Sequence, residues 1–126
     1  MSVKYNIVER GNPSNQEAPK KFYPSVVSSG KITEREVAKQ ASQRSTVSSA
    51  DTLAVLENFL SIISEELARG NIVELGEFGS FWLRIESEGA VTKEEAGASQ
   101  ITNILPRFSP GREFQQALNI ISFEKA

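Results

Sequence analysis

Apolar positions along this chain change period several times, and each change marks an element. Val3, Tyr5 and Ile7 alternate with Lys4 and Asn6, the period-two pattern of a half-buried strand. Gly11-Asn12-Pro13-Ser14-Asn15 is a loop by composition. Lys20 to Val27 reads as a second extended segment, which Pro24 confines to a sheet edge or an irregular run. The two segments suit a hairpin. Lys20-Lys21 beside Phe22-Tyr23 fits either solvated lysines at a strand start or a small basic-aromatic contact for nucleic acid.

From Ile32 the period lengthens to that of a helix. Thr33 and Glu36 have the spacing of a capping box, and Ile32 with Val37 that of a hydrophobic staple, so a first helix is predicted from here to about Gln43 or Arg44. Its stripe of Val37, Ala38 and Ala41 is thin, which predicts a surface helix. Ser48 followed by Asp51 suits the start of a second helix over about Ser49 to Arg69, closed by Gly70. Leu53, Leu56, Leu60, Ile63 and Leu67 recur every three or four residues, and Val55, Phe59 and Ile62 run beside them. Two apolar lines exceed what a one-sided helix needs. One line is expected to pack on its own subunit and the other on a partner, with the leucine line and Phe78 and Phe81 assigned to the dimer interface.

Ile72 to Phe81 then reads as a short strand meeting a longer one at a corner marked by Gly76 and Gly79, with Phe78 and Phe81 pointing apolar surface inward. Taken alone, this is an ordinary hairpin turn. Following the long helix, the run Val73-Glu74-Leu75-Gly76-Glu77-Phe78-Gly79-Ser80-Phe81, with Pro106-Arg107-Phe108 and Ser109-Pro110-Gly111-Arg112-Glu113-Phe114, resembles the HU/IHF family of bacterial histone-like DNA-binding proteins. The resemblance covers about Ile32 to Leu118 and is greatest for longer HU-like proteins with an extra N-terminal segment. It implies two helices, a sheet with an arm hairpin, a C-terminal helix and a dimer that holds DNA in a saddle.

One part of that pattern fails. In the family, the segment between the outgoing and returning strands is a basic arm whose proline wedges between base pairs. Here Glu86 to Gln100 has no proline, one lysine and four glutamates. Phosphates repel such a tip, so arm-mediated clasping is not carried over and a solvated loop is expected. After it, Ile101 to Leu105 resumes as a strand, and Ser109-Pro110 is expected to cap a helix whose first turn holds Gly111 and Arg112. Free amides there, with Arg112, match the family's glycine-basic pair. Phe114 and Leu118 should pack inward, and Ile120, Ile121 and Phe123 suggest a docked tail.

Charge sharpens the contrast. Residues 1–47 hold eight cations against four carboxylates, whereas the remainder holds six against twelve, for a total of −2. Since nucleic-acid affinity depends on cations that neutralise phosphates, binding is expected to be weak unless they share one face. The chain has no cysteine and no histidine, which removes disulfides, thiol nucleophiles, the usual general base and the commonest metal ligands. No metal, cofactor, small-molecule substrate or catalytic residue is therefore expected, nor an enzyme. No apolar leader or membrane span is visible, and a cytoplasmic, nucleoid location follows by default.

The resulting expectation is an α+β, HU-like homodimer, a heterodimer with a related chain being the other arrangement. Residues 1–31 form an N-terminal β extension and 32–126 the HU-like domain. DNA would be bound without sequence specificity, through Arg84, Arg107, Gly111, Arg112 and Lys93. Arg84 and Arg107 equally suit solvated sheet positions. The rival reading is a dimeric scaffold that kept the fold and lost most DNA affinity, favoured by the acidic arm.

Overall fold

The computed structural model describes all 126 residues, which fall into two compact units, Met1–Thr33 with Leu118–Ala126, and Glu34–Ala117. The first unit is a three-stranded sheet in the order β2-β1-β6, built from β1 (Ser2–Arg10), β2 (Lys21–Val27) and β6 (Ser122–Lys125). The predicted hairpin forms: β1 and β2 pair antiparallel, with Arg10 opposite Lys21 and Tyr5 opposite Val26. Pro24 is tolerated because β2 is an edge strand. The tail adds as a parallel strand on β1's other side, and Ala126 N donates to Tyr5 O at 2.9 Å. Residues 118–126, expected to belong with the HU-like domain, group with the N-terminal strands instead. That pairing joins opposite ends of the chain and leaves no short-range signature.

The second unit contains α1 (Glu34–Gln43), α2 (Ser49–Ala68), β3 (Val73–Glu74), β4 (Gly79–Ser87) and β5 (Ile101–Pro110), with most of α3 (Arg112–Asn119). Both helix starts lie where the caps put them. The Ser48 side chain accepts from Asp51 N at 3.1 Å, satisfying a donor that the first helical turn leaves free. Helix α2 ends in paired bonds, Asn71 N to Glu66 O at 3.0 Å and Gly70 N to Leu67 O at 2.9 Å, with Gly70 at φ +86°. This is the Schellman arrangement, whose left-handed position suits glycine. The Asn71 amide also donates to a Glu66 oxygen at 2.8 Å, and Arg69 pairs with the other oxygen.

β3, β4 and β5 form the second sheet, in that order and antiparallel. Between β3 and β4 the chain makes a 3-10 turn over Gly76–Phe78, held by Leu75 N to Gly79 O at 2.9 Å and Phe78 N to Leu75 O at 3.1 Å. Gly79 has φ +147°, and a β-carbon there would stand 2.4 Å from Ser109 O and 2.6 Å from the Phe108 ring. Gly111 is as tightly placed, its β-carbon position 2.2 Å from Glu77 O, while its N–H donates to Phe78 O at 2.8 Å. Four aromatic rings collect beside this contact. Phe78 lies 4.7 Å from Phe114 and 5.4 Å from Phe108, and Phe81 lies 4.7 Å from Phe108. Tilted pairs of this kind contribute about 0.5–1.5 kcal/mol each beyond their burial.

Little else is buried. Only Ala38, 1 % exposed, Leu67, 8 %, and Gly79 are buried within the single chain.

Two outcomes follow. Gly70→Ala meets no neighbouring atom and should cost about 1 kcal/mol from its positive φ, while Gly79→Ala adds a backbone clash and should cost about 2–4 kcal/mol. Denaturant unfolding at one fixed protein concentration checks the ranking. The Asn71 amide, more than the Arg69 charge, holds the Glu66 carboxyl below the usual carboxylate range. That bond stabilises the fold above the ordinary carboxylate pKa and is lost as pH falls through the lowered value. Asn71→Ala should move the Glu66 titration upward by NMR and flatten the acid limb of stability.

Candidate nucleic-acid interface

Residues directly opposite each other in an antiparallel pair point to the same face, so strand register decides which side chains share a surface. Trp82 stands opposite Arg107, Arg84 opposite Leu105, and Glu86 opposite Asn103. These side chains form one face of β4–β5, with Arg84 and Arg107 as diagonal neighbours. The alternate positions pair Phe81 with Phe108, Leu83 with Pro106 and Ile85 with Ile104, which makes the other face apolar and continuous with the aromatic cluster. Both arginines are exposed, neither makes an ion pair, and Trp82 lies half-buried between them and the corner. A surface of two unpaired guanidinium groups beside a flat indole suits phosphates and sugars of a nucleic-acid backbone.

The other expected contacts are not all joined to this face. Ser109 and Pro110 pair with Ser80 and Gly79 as the end of β5 rather than capping a helix. The close approach at the corner carries the strand that far, and α3 begins only at Arg112, with Gly111 O accepting from Gln115 N at 3.0 Å. Gly111 was expected to offer a free amide to phosphate. Its N–H is already spent on Phe78 O, so this glycine serves packing. Arg112 is exposed at the first helical position, two residues past β5. Lys93 lies in the loop beyond the opposite end of β5, about 30 Å away along the strand at ~3.3 Å per residue.

That loop takes the place of an arm. Strand pairing stops at Ser87 opposite Ile101, after a register shift between Glu86 and Ser87, and Glu88 N closes the hairpin on Gln100 O at 2.9 Å. Beyond it the chain folds into short turns, with Thr92 Oγ1 accepting from Glu95 N and Gln100 Oε1 from Gly97 N. The solvated loop expected from its composition is what the structure contains.

The apolar lines of α2 are turned differently from the expectation. Leu67 is buried in its own chain, and Leu53, Leu56 and Ile63 are half-covered. Val55 (66 % exposed), Ile62 (54 %), Phe59 and Leu60 are open instead. Of the residues assigned to a partner, only Leu60 and Phe78 are exposed, and Phe81 is half-buried among the other rings. Both lines are equally apolar in sequence. Which one faces inward depends on where α1 and β3–β4 lie.

These features define an HU-type α+β fold with an added N-terminal sheet. The model of the family described as an HU domain fused to wHTH, Ig, or a glycine-rich motif matches residues 1–125, and the chain belongs to that family. A variant HU from Thermotoga maritima is 22 % identical, with a TM-score of 0.52, and covers 69 % of this chain and 99 % of its own. An HU–DNA cocrystal structure from Anabaena gives 22 % identity and a TM-score of 0.57 over 71 % of this chain and 99 % of that one. A Bacteroides vulgatus protein, titled only provisionally as a bacterial DNA-binding protein, is 13 % identical with a TM-score of 0.66. It covers 98 % of this chain, which spans 47 % of that longer one. No curated protein matches the chain.

Proposed function

We propose that this protein binds duplex DNA as a homodimer, with little sequence specificity and in an architectural role, by resting the backbone on the β4–β5 face of each subunit. The observation that carries the reading is the common face of Trp82, Arg84 and Arg107, opposite the aromatic face of the same strands. Arg112 adds a cation at the start of α3. The Anabaena HU, whose fold this chain shares, is solved in complex with DNA, which supports the assignment by fold. Dimerisation is supported by the exposed α2 line of Val55, Phe59 and Ile62. Without a proline-bearing arm, the bend imposed on DNA is slight and phosphate contacts supply the affinity. A nucleoid location accords with this role, and no helix is long and apolar enough to cross a membrane.

A second reading, a scaffold of HU fold with weak DNA affinity, is favoured by the charge of Glu34–Ala117, where eight cations face thirteen carboxylates. A salt series separates the two. Duplex binding followed by anisotropy should weaken with salt, and Arg107→Gln should flatten the slope by about 0.9 for each phosphate contact it removes. Trp82 is the chain's one tryptophan, so its emission should change as duplex is added. Salt-independent or absent binding at low ionic strength supports the scaffold.

The dimer has its own test. Sedimentation at micromolar concentration should give twice the 13.9 kDa chain mass, and Phe59→Lys should shift the protein toward the monomer mass. A wild-type monomer of normal stability would contradict the proposed interface.

A further inference from the structure

The free end of the β1–β2 hairpin carries a cluster that the β4–β5 surface does not use. Arg10 stands directly opposite Lys21 in the register, so two cations share one face at cross-strand distance. Like charges so placed repel, and neither makes an ion pair that would offset this. Lys20 completes the group: a methyl group placed on Gly11, the residue after Arg10, would come within 3.7 Å of Lys20 Cγ. No carboxylate forms an ion pair with these cations, and Glu9, opposite Phe22, stands on the other face of the sheet.

Beside the cations lies a hollow of about 420 Å³, lined by Arg10, Gly11, Asn12, Pro13, Lys21 and Tyr23 among others. Tyr23 follows Lys21 by two residues on the same face, opposite Val8, and brings an exposed ring to the edge of this hollow. The loop is already ordered. Asn12 Oδ1 accepts from Ser14 N at 2.9 Å, Asn15 Oδ1 from Glu17 N, and Asn15 N donates to Asn12 O at 3.1 Å. Successive Asx turns hold the strand ends in place, so little ordering remains to be done on binding.

We propose that this hairpin end, through Arg10, Lys20, Lys21 and Tyr23, is a second binding site for the DNA sugar-phosphate backbone. It goes beyond the β4–β5 reading and rests on it only for the identity of the ligand. Arg10 and Lys21 line the hollow and Lys20 stands close by Gly11, so that three unpaired cations match successive phosphates on a strand, and the Tyr23 ring offers a flat face to sugar or base. Charge balance points the same way. The unit containing the hairpin holds six cations against three carboxylates, while Glu34–Ala117 carries an excess of five negative charges. A protein whose HU-type unit is acidic gains its phosphate-neutralising charge from the added sheet.

The test uses the full-length protein and a labelled duplex, followed by anisotropy across a salt series. One variant carries Arg10→Gln, Lys20→Gln and Lys21→Gln together, and Arg107→Gln serves as the comparison. The triple variant should lose at least tenfold in affinity at low salt, and its slope should flatten by about 0.9 per phosphate contact removed, with no fall in melting temperature and unchanged sedimentation. If its affinity and slope equal those of the wild type while Arg107→Gln weakens binding, the hairpin site is wrong and the β4–β5 reading stands. The opposite pattern supports the hairpin and removes the β4–β5 surface. Absence of salt-dependent binding in the wild type removes both. Phosphatidylserine vesicles form the last arm: if they bind the wild type and lose the triple variant, with DNA binding unaltered, the partner is a membrane surface and the proposal is overturned.

Discussion

The contact between two backbones at the glycine corner orders the second unit. Gly111 lies against the Glu77 carbonyl, and Gly79 lies beneath Ser109 and Phe108, each at a distance that leaves no room for a side chain. The hydrogen bond from Gly111 to Phe78 ties the start of α3 to the turn between β3 and β4. With those ends joined, Phe78, Phe81, Phe108 and Phe114 converge from the 3-10 turn, β4, β5 and α3 onto one side of the sheet. Strand alternation then sends Trp82, Arg84 and Arg107 to the other side. The surface proposed to meet DNA is thus a consequence of where the glycines let the backbone close.

The same unit leaves much apolar surface uncovered. Side chains on α2 point both inward and outward, and the outward line of Val55, Phe59 and Ile62 has nothing over it in the single chain. Leu83, Ile85 and Ile104 are likewise exposed toward the far end of the sheet. Burying a side chain of this size contributes about 1.5–3 kcal/mol, so several together favour association strongly. In the proposed dimer, the second subunit supplies the core that one chain of this length lacks.

Charge and chain geometry together set the proposed mode of binding. An acidic loop closes β4 and β5, so in the proposed complex the duplex would not be enclosed and contact would rest on the sheet faces and on free cations elsewhere. Arg10 opposite Lys21 is notable in this respect. An anion lying between the two would offset their repulsion.

Much of this was legible in the sequence because it is encoded over short distances. Ser48 with Asp51, Gly70 after α2, the alternation of Val3, Tyr5 and Ile7, and the glycine-phenylalanine corner each depend on neighbours a few residues apart. The acidic composition of Glu86 to Gln100 also foretold a loop in place of an arm. What sequence left open depends on distant partners. Tertiary packing decided that Leu53, Leu56, Ile63 and Leu67 of α2 face inward and Val55, Phe59, Leu60 and Ile62 outward, since both lines carry the same apolar period. It also committed the Gly111 amide to Phe78, extended β5 through Pro110 and paired the tail with β1. Hydrogen bonds and close approaches across tens of residues have no local period, and only the folded chain specifies them.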